Sequence, residues 1–410
     1  MATEIKVDTD PAEAGFDRGR LHRIDRHFDR YVDDGRLPGY LAVVSRHGRI
    51  VHVAAHGHRD LEAGAPVETD TIWRIFSMSK PITSVAAMTF VEEGLIDLTD
   101  PISRWLPEFA GPRVHTKGSA LAPVTEPATE PIRLWHLLTH TSGLTYGFHH
   151  SHPVDAIYRA AGHEWGTPAG MDLAAVSRAY AGFPLVFQPG SEWNYSVSTD
   201  VLGRLIEVLA GRPLDEVLAE RVFGPLGMAD TGFRAEDTER LAALYVPEPG
   251  TKRAVRNDVF GRVGTVRPDA FSGGGGLVST AGDYHRFTQM LLRGGELDGT
   301  RVLGPRTVEL MTGNHLPGHV DLEAYGRPLF AEMLFDGFGF GLGFSVLEDP
   351  VKAKTLSSAG EYAWGGAAST AFWVDPREEL TVAFYTQLLP SSVHPIRQQL
   401  RQLVYQALIG

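Results

Sequence analysis

Segments with strand character lie near both ends of this chain, and helical patterns fill the stretch between them. Tyr40-Leu41-Ala42-Val43-Val44-Ser45 and Ile50-Val51-His52-Val53-Ala54 are rich in β-branched residues and meet through His47-Gly48, a hairpin signal. Strand character returns only late, in Gly341 to Val346, Ala368 to Val374 and Leu380 to Tyr385. Apolar residues recur at helical spacing in Phe16 to Asp34, where Leu21, Ile24, Phe28 and Tyr31 share a face. They do so again in Leu134–Leu138, Leu173–Ala179, Val201–Ala210 and Leu214–Val222, and in an amphipathic segment from Pro395 to Leu408. The pattern predicts an α+β fold, an antiparallel sheet assembled from both termini and flanked by helices, with an inserted mostly helical domain. Its expected limits are 1–95 with 270–410 for the α/β sandwich, and 96–269 for the helical part. Residues 111–130, rich in Pro, Thr, Gly and Ala, read as a long surface loop. No internal repeat is visible.

Composition narrows the chemistry. The 410 residues, 43% of them hydrophobic, have room for two or three domain-sized units. Fifty acidic against 38 basic residues give a net charge of −12, which argues against nucleic acid or an anionic membrane as partner. With no cysteine, disulfides, thiolate metal sites and cysteine nucleophiles are excluded. Met1 to Asp10 alternates charged and polar residues without an apolar core, and no membrane span is visible, so a cytoplasmic location is expected.

The stretch Trp73-Arg74-Ile75-Phe76-Ser77-Met78-Ser79-Lys80-Pro81 concentrates the chemical signals. Trp73 to Phe76 reads as extended. From Pro81 onward Val85, Met88, Val91 and Leu95 follow helical spacing, and proline is tolerated in a first helical turn. Ser77 therefore stands where a loop enters a buried helix, with Lys80 one turn further on the same face. The helix dipole and apolar surroundings both disfavour the ammonium form there, and an uncharged amine can take the serine proton. A helix cap and a solvated surface lysine is the plainer account of the same spacing.

Two later stretches add to it. Tyr195, in Glu192-Trp193-Asn194-Tyr195-Ser196, precedes a helix start and can project its hydroxyl into a cleft; beside an ammonium such a phenol can serve as general base. A core aromatic with a satisfied hydroxyl is the alternative. In Trp364-Gly365-Gly366-Ala367-Ala368 two glycines mark a close approach of backbone to another group, and an edge strand there can offer an N–H to an oxyanion. A plain β-turn fits as well.

Taken together, Ser-x-x-Lys, then Tyr-Ser, then a Gly-Gly strand resembles the serine β-lactamase and penicillin-binding-protein superfamily. Its class C branch is matched further by Leu137-Leu138-Thr139-His140-Thr141-Ser142-Gly143-Leu144, Phe187-Gln188-Pro189-Gly190 and Gly274-Gly275-Gly276-Leu277-Val278-Ser279-Thr280. The resemblance spans roughly residues 15 to 405. It implies a two-domain fold with the site at the junction, Ser77 as nucleophile, Lys80 as its activator and Tyr195 as general base. It also implies an oxyanion hole from the backbone N–H groups of Ser77 and Ala367, with Ser79 and Ser196 in support. Two departures bear on substrate. Val197 replaces the asparagine usual two residues after the tyrosine, and Trp364-Gly365-Gly366 replaces Lys-Thr-Gly, putting an indole where a cation would pair with a substrate carboxylate. The latter resembles family VIII carboxylesterases and related acyltransferases, so hydrolysis of a small-molecule carboxylic ester through an acyl-enzyme is expected, with acyl transfer possible at the same site. A β-lactamase or D-alanyl-D-alanine peptidase, and a penicillin-binding sensor that stays acylated, are the alternatives. No cofactor is expected, and the oligomeric state is open.

His136 and His140 stand four apart, a zinc-pair spacing, but Leu-Leu-Thr between them offers no glutamate, and no metal site is expected. His149, His150 and His152, with Tyr146 and Phe148, belong to a loop that either lines the substrate entrance or is simply solvated. Of these, Tyr146 and Phe148, with Trp364, Gly365 and Gly366, are the expected substrate-binding residues. Gly273 to Gly276 lacks a following Lys-Ser/Thr, so a tight turn explains it better than a phosphate cradle. The pocket wall is expected from loops around 111–170 and 311–335.

Overall fold

The computed structural model describes residues 5–327 and 335–410. The pocket-wall expectation for 311–335 therefore lies outside the described residues over 328–334, as does the reading of Met1 to Asp10 over its first four. The eight strands of the main sheet are β1 (Gly39–Arg46), β2 (Arg49–Asp60), β3 (Ala65–Pro66), β4 (Phe338–Phe340), β5 (Ser345–Leu347), β6 (Tyr362–Gly365), β7 (Ala371–Asp375) and β8 (Leu380–Tyr385). Their order is β4-β5-β6-β7-β8-β1-β2-β3, antiparallel throughout. The two ends of the chain meet where β1 pairs with β8, from Leu41 opposite Tyr385 to Arg46 opposite Leu380. His47 and Gly48 both take positive φ (54° and 75°), the two-residue turn whose twist suits an antiparallel hairpin.

Alternation along the strands divides the core in two. Tyr40, Ala42, Val44, Trp373, Val382 and Phe384 meet helices α1 (Arg23–Asp33) and, from the C-terminus, Ile396–Tyr405; Tyr40 stacks on Phe384 with ring centroids 5.4 Å apart. Leu41, Val43, Phe372, Val374 and Tyr385 face the larger cluster. That cluster contains α2 (Ser79–Glu92), α3 (Ser198–Ala210) and α4 (Ala281–Leu292). α2 is buried at every position from Ser79 to Phe90, and its buried Lys80, Thr83 and Thr89 donate to backbone carbonyls.

Four expectations need correction. α2 ends at Glu92 rather than Leu95, because Gly94 (φ 69°) turns the chain and the Leu95 N–H returns to Phe90 O (3.0 Å), leaving Leu95 exposed. Residues 111–130 are not an irregular loop: Arg113–Ser119 and Ala122–Pro127 form a two-stranded ribbon, which Val114 joins to Leu185, and its prolines, Pro123 and Pro127, are tolerated because they stand on the outer strand. Gly341 to Val346 is not one strand but the turn and second arm of the β4–β5 hairpin; Gly343 has φ 99°, and any Cβ there would collide with Ser84 of α2, so both conformation and space call for glycine. Finally, the Trp364-Gly365 segment belongs to β6, an interior strand. β5 stops pairing at Ser345–Ala363, however, so the end of β6 beyond Ala363 is an edge on that side.

Candidate active site

The nucleophile candidate is placed by a short strand and a tight turn. Ile72–Arg74 pairs antiparallel with Val278–Thr280, and the Ile75 N–H donates to Leu277 O (3.1 Å). Phe76 then adopts φ 43°, a region that costs a non-glycine residue energy and that surrounding structure must hold in place. Ser77 follows in a single 3₁₀ turn, Phe76–Met78, that runs directly into α2. Tyr284 of α4 donates to Met78 O (3.0 Å) and ties the turn down.

Lys80, 1% exposed, brings its Nζ 3.2 Å from Ser77 Oγ and donates to Gly274 O at 2.6 Å. The glycine turn is held from the other side by Asp200 of α3, whose carboxylate accepts from the Gly274 N–H (3.1 Å) and from Ser272 Oγ (2.5 Å). A Cβ at residue 274 would lie 2.9 Å from Asp200 Oδ2, so only glycine brings this backbone between the carboxylate and the ammonium. Sequence reading took 273–276 as a bare turn and passed over Asp200; the glycine run was the available signal. Ser79 accepts from the Leu277 N–H (3.1 Å), while Ser196 bonds both His140 Nδ1 (3.1 Å) and Ser198 Oγ (2.7 Å).

Tyr195, 8% exposed, stands beside this pair: Lys80 Nζ is 4.5 Å from its ring centroid, and Trp364 Nε1 donates to its hydroxyl oxygen at 3.4 Å. Tyr146 packs on Tyr195 (5.3 Å), Phe148 stacks on Tyr146 (4.6 Å) and Trp165 on Phe148 (4.8 Å), forming one aromatic wall. Burial, with the neighbouring Tyr195 adding to it, holds the Tyr146 phenol well above its ordinary value, so it stays protonated.

Ser77, Tyr195, Tyr146, Phe148, Trp364, Gly365, Gly366 and Ala367 line one cavity of about 780 Å³. Lys80 reaches it through Ser77. The Gly366 N–H is taken by Thr370 O (2.8 Å), so the next donor along the segment is that of Ala367. Arg397 packs across Gly365, where a Cβ would strike its guanidinium, and donates to Gly366 O (3.1 Å) and Thr370 O (3.3 Å).

The histidines take other parts. His149 Nε2 bonds Tyr195 O (2.6 Å), His150 pairs with Glu164 (3.3 Å), and His152 caps the helix Pro153–Ala160. His136 and His140 do not share a helix face, because the helix is only Leu134–Leu138; burial drives the His136 imidazole down to about 4, and His140 well below its usual range, with Lys80 adding to the effect.

The β-lactamase family matches over residues 24–406. The chain belongs to that family. A Mycobacterium tuberculosis protein is 39% identical over 87% of this chain and 88% of its own length. Esterase EstB of Burkholderia gladioli is 34% identical over 97% of this chain and 98% of EstB. Among solved structures, EstCE1, described as a hydrolase with promiscuous acyltransferase activity, superimposes with a TM-score of 0.78 at 30% identity, covering 94% of this chain and 98% of that one. The family member described here thus has both esterase and acyltransferase relatives, and shares their helix-flanked antiparallel sheet. Among the described residues no helix is long and apolar enough to cross a membrane.

Proposed function

We propose that this protein is a serine carboxylesterase that works through an acyl-enzyme on Ser77 and can pass the acyl group to an alcohol. The observation that carries the reading is the Lys80 amine, held at once against Ser77 Oγ (3.2 Å) and Gly274 O (2.6 Å) at the edge of a largely apolar cavity. One bond fixes the amine and the other contact lets it receive or return the serine proton. In the first half-reaction the Ser77 proton passes to the Lys80–Tyr195 pair and Oγ attacks the ester carbonyl. The N–H groups of Ser77 and Ala367 stabilise the oxyanion, and Tyr195 protonates the departing alcohol. In the second, the same pair deprotonates water, which releases the acid; an alcohol in place of water gives transesterification.

Trp364 supports an ester rather than a β-lactam. It lines the cavity and directs its N–H to Tyr195, where the β-lactam-recognising pattern places a lysine for the substrate carboxylate. We place the site at the seam between the terminal sheet unit and the central helical unit, since Ser77 is delivered by the former and Tyr195 by the latter. The test is intact-mass analysis during turnover of p-nitrophenyl acetate and nitrocefin by wild type and Ser77→Ala. A +42 Da adduct (the acetyl group replacing a hydroxyl hydrogen) with steady turnover is expected for the wild type alone. Retained hydrolysis by Ser77→Ala overturns the nucleophile. Nitrocefin turnover more efficient than ester turnover selects the β-lactamase reading, and a stoichiometric burst without turnover selects the sensor.

A further inference from the structure

A second group of chemistry-bearing residues lies away from the cavity, where α1 begins against β2. His22 immediately precedes the helix, Asp25 lies in its first turn, and His52 projects from β2 toward Asp25. The two oxygens of Asp25 are divided between the imidazoles: Oδ2 is 2.7 Å from His22 Nδ1 and Oδ1 is 2.9 Å from His52 Nε2. All three potential ligand atoms lie within 4.8 Å of one another, and none of the three residues lines the catalytic cavity.

We propose that His22, Asp25 and His52 form a binding site for a borderline divalent transition metal such as Zn²⁺. Two imidazoles and one carboxylate are a donor set that zinc and its neighbours take, with open positions for water. The site is half built by the fold. His52 is 5% exposed on a paired strand, and Asp25 is fixed on the first helical turn, so two of the three ligands are positioned by rigid elements. His22 is the adjustable one, with a half-exposed side chain open to solvent. Tetrahedral ligands about 2.0–2.1 Å from zinc stand roughly 3.3 Å apart. Binding therefore requires the His22 ring to swing by less than its own width and breaks the two Asp25 hydrogen bonds: His22 Nδ1 and His52 Nε2 each give up the proton donated to Asp25, which passes to the other ring nitrogen or to solvent, and offer the freed lone pair to the metal. The positive end of the α1 dipole opposes a cation here. Asp25 offsets it, as does Asp29 one turn on, which accepts from Tyr40 (2.9 Å). In the absence of metal the same three groups form a hydrogen-bonded clasp between helix and sheet. Sequence spacing can relate only two of the three, His22 and Asp25 at three apart, because His52 is 27 residues from Asp25.

The test uses the full-length protein, stripped with chelator and titrated with Zn²⁺ and with Co²⁺. Native mass spectrometry should show one equivalent, Co²⁺ should develop visible d–d bands of a low-coordinate nitrogen–oxygen site, and the melting temperature should rise with metal concentration. His22→Ala and Asp25→Asn should each weaken binding by roughly tenfold or more. His22 is exposed enough that its removal leaves the fold intact, and hydrolysis by that variant should match wild type. His150→Ala, at another exposed His–carboxylate pair, should bind as wild type does. No bound equivalent, or one that persists in His22→Ala and Asp25→Asn, overturns the site. So does a wild-type melting temperature that does not respond to metal while the variants melt lower, which would leave the clasp alone.

Discussion

The proposed mechanism rests on three side chains, and each is held by a different kind of constraint. Ser77 is fixed by a strained backbone, Lys80 by a carbonyl, and Tyr195 by aromatic packing and one indole N–H. If Lys80 and Tyr195 move the proton, Lys80→Ala and Tyr195→Phe should each lower kcat on p-nitrophenyl acetate by on the order of 10²-fold or more, with little change in melting temperature. Losses below tenfold in both would remove those roles. Asp200 makes a subtler case. Its carboxylate holds Gly274, which in turn holds the amine, so Asp200→Ala should cut kcat by about tenfold while leaving KM nearly unchanged; a pure KM effect would mean that Asp200 meets substrate instead. Ser77 and Lys80 were legible in sequence because three residues on a helix guarantee neighbourhood. Asp200 and Gly274 were not, because 74 residues separate them and only the packing of α3 against α2 brings the glycine turn to the carboxylate.

At the level of elements, glycines and one arginine determine where the pieces meet. The β4–β5 hairpin presses Gly343 onto Ser84, with an added Cβ only 2.7 Å from Ser84 Cβ and the residue at φ 99°. Gly343→Ala should therefore destabilise by about 2–4 kcal/mol in urea unfolding. Ser84→Gly in the same chain should recover the steric part and leave the backbone part. Arg74 is buried behind the catalytic turn and donates to the carbonyls of Val263 (2.6 Å), Ala242 and Gly261, pinning a segment that borders the cavity. Desolvation lowers its guanidinium to about 10, which still leaves it charged at neutral pH. Regular strands with β-branched runs, such as β8, could be read with their correct limits, and so could the hairpin at His47-Gly48. The ribbon at 113–127 could not. Its burial pattern is almost wholly exposed, so it carries no period-two signal, and its prolines argue for a loop unless their place on the outer strand is known.

For the molecule as a whole, the titration of buried histidines sets the acid limit. Burial holds His136, His285 and His394 down to about 4, so they stay neutral in the fold while the unfolded chain protonates near 6.5. A depressed imidazole contributes stability that is complete above about 6.5 and is lost as pH falls from there toward 4. Between pH 7 and pH 5 the urea midpoint should drop, by about 1–2 kcal/mol for each of the three, and His394→Gln should flatten that slope. An unchanged midpoint across the range would mean that these rings are protonated in the native state. The pairing of β1 with β8 has a separate consequence. A nascent polypeptide emerging from the ribosome holds the Ser77 hydroxyl and the Lys80 amine early, yet the turn between β6 and β7 that carries the Ala367 amide, and β8 that closes on β1, follow only roughly 300 residues later. Biogenesis must shelter an open, half-made sheet until β8 has emerged, and the assembled cavity should then appear in a single step rather than by degrees.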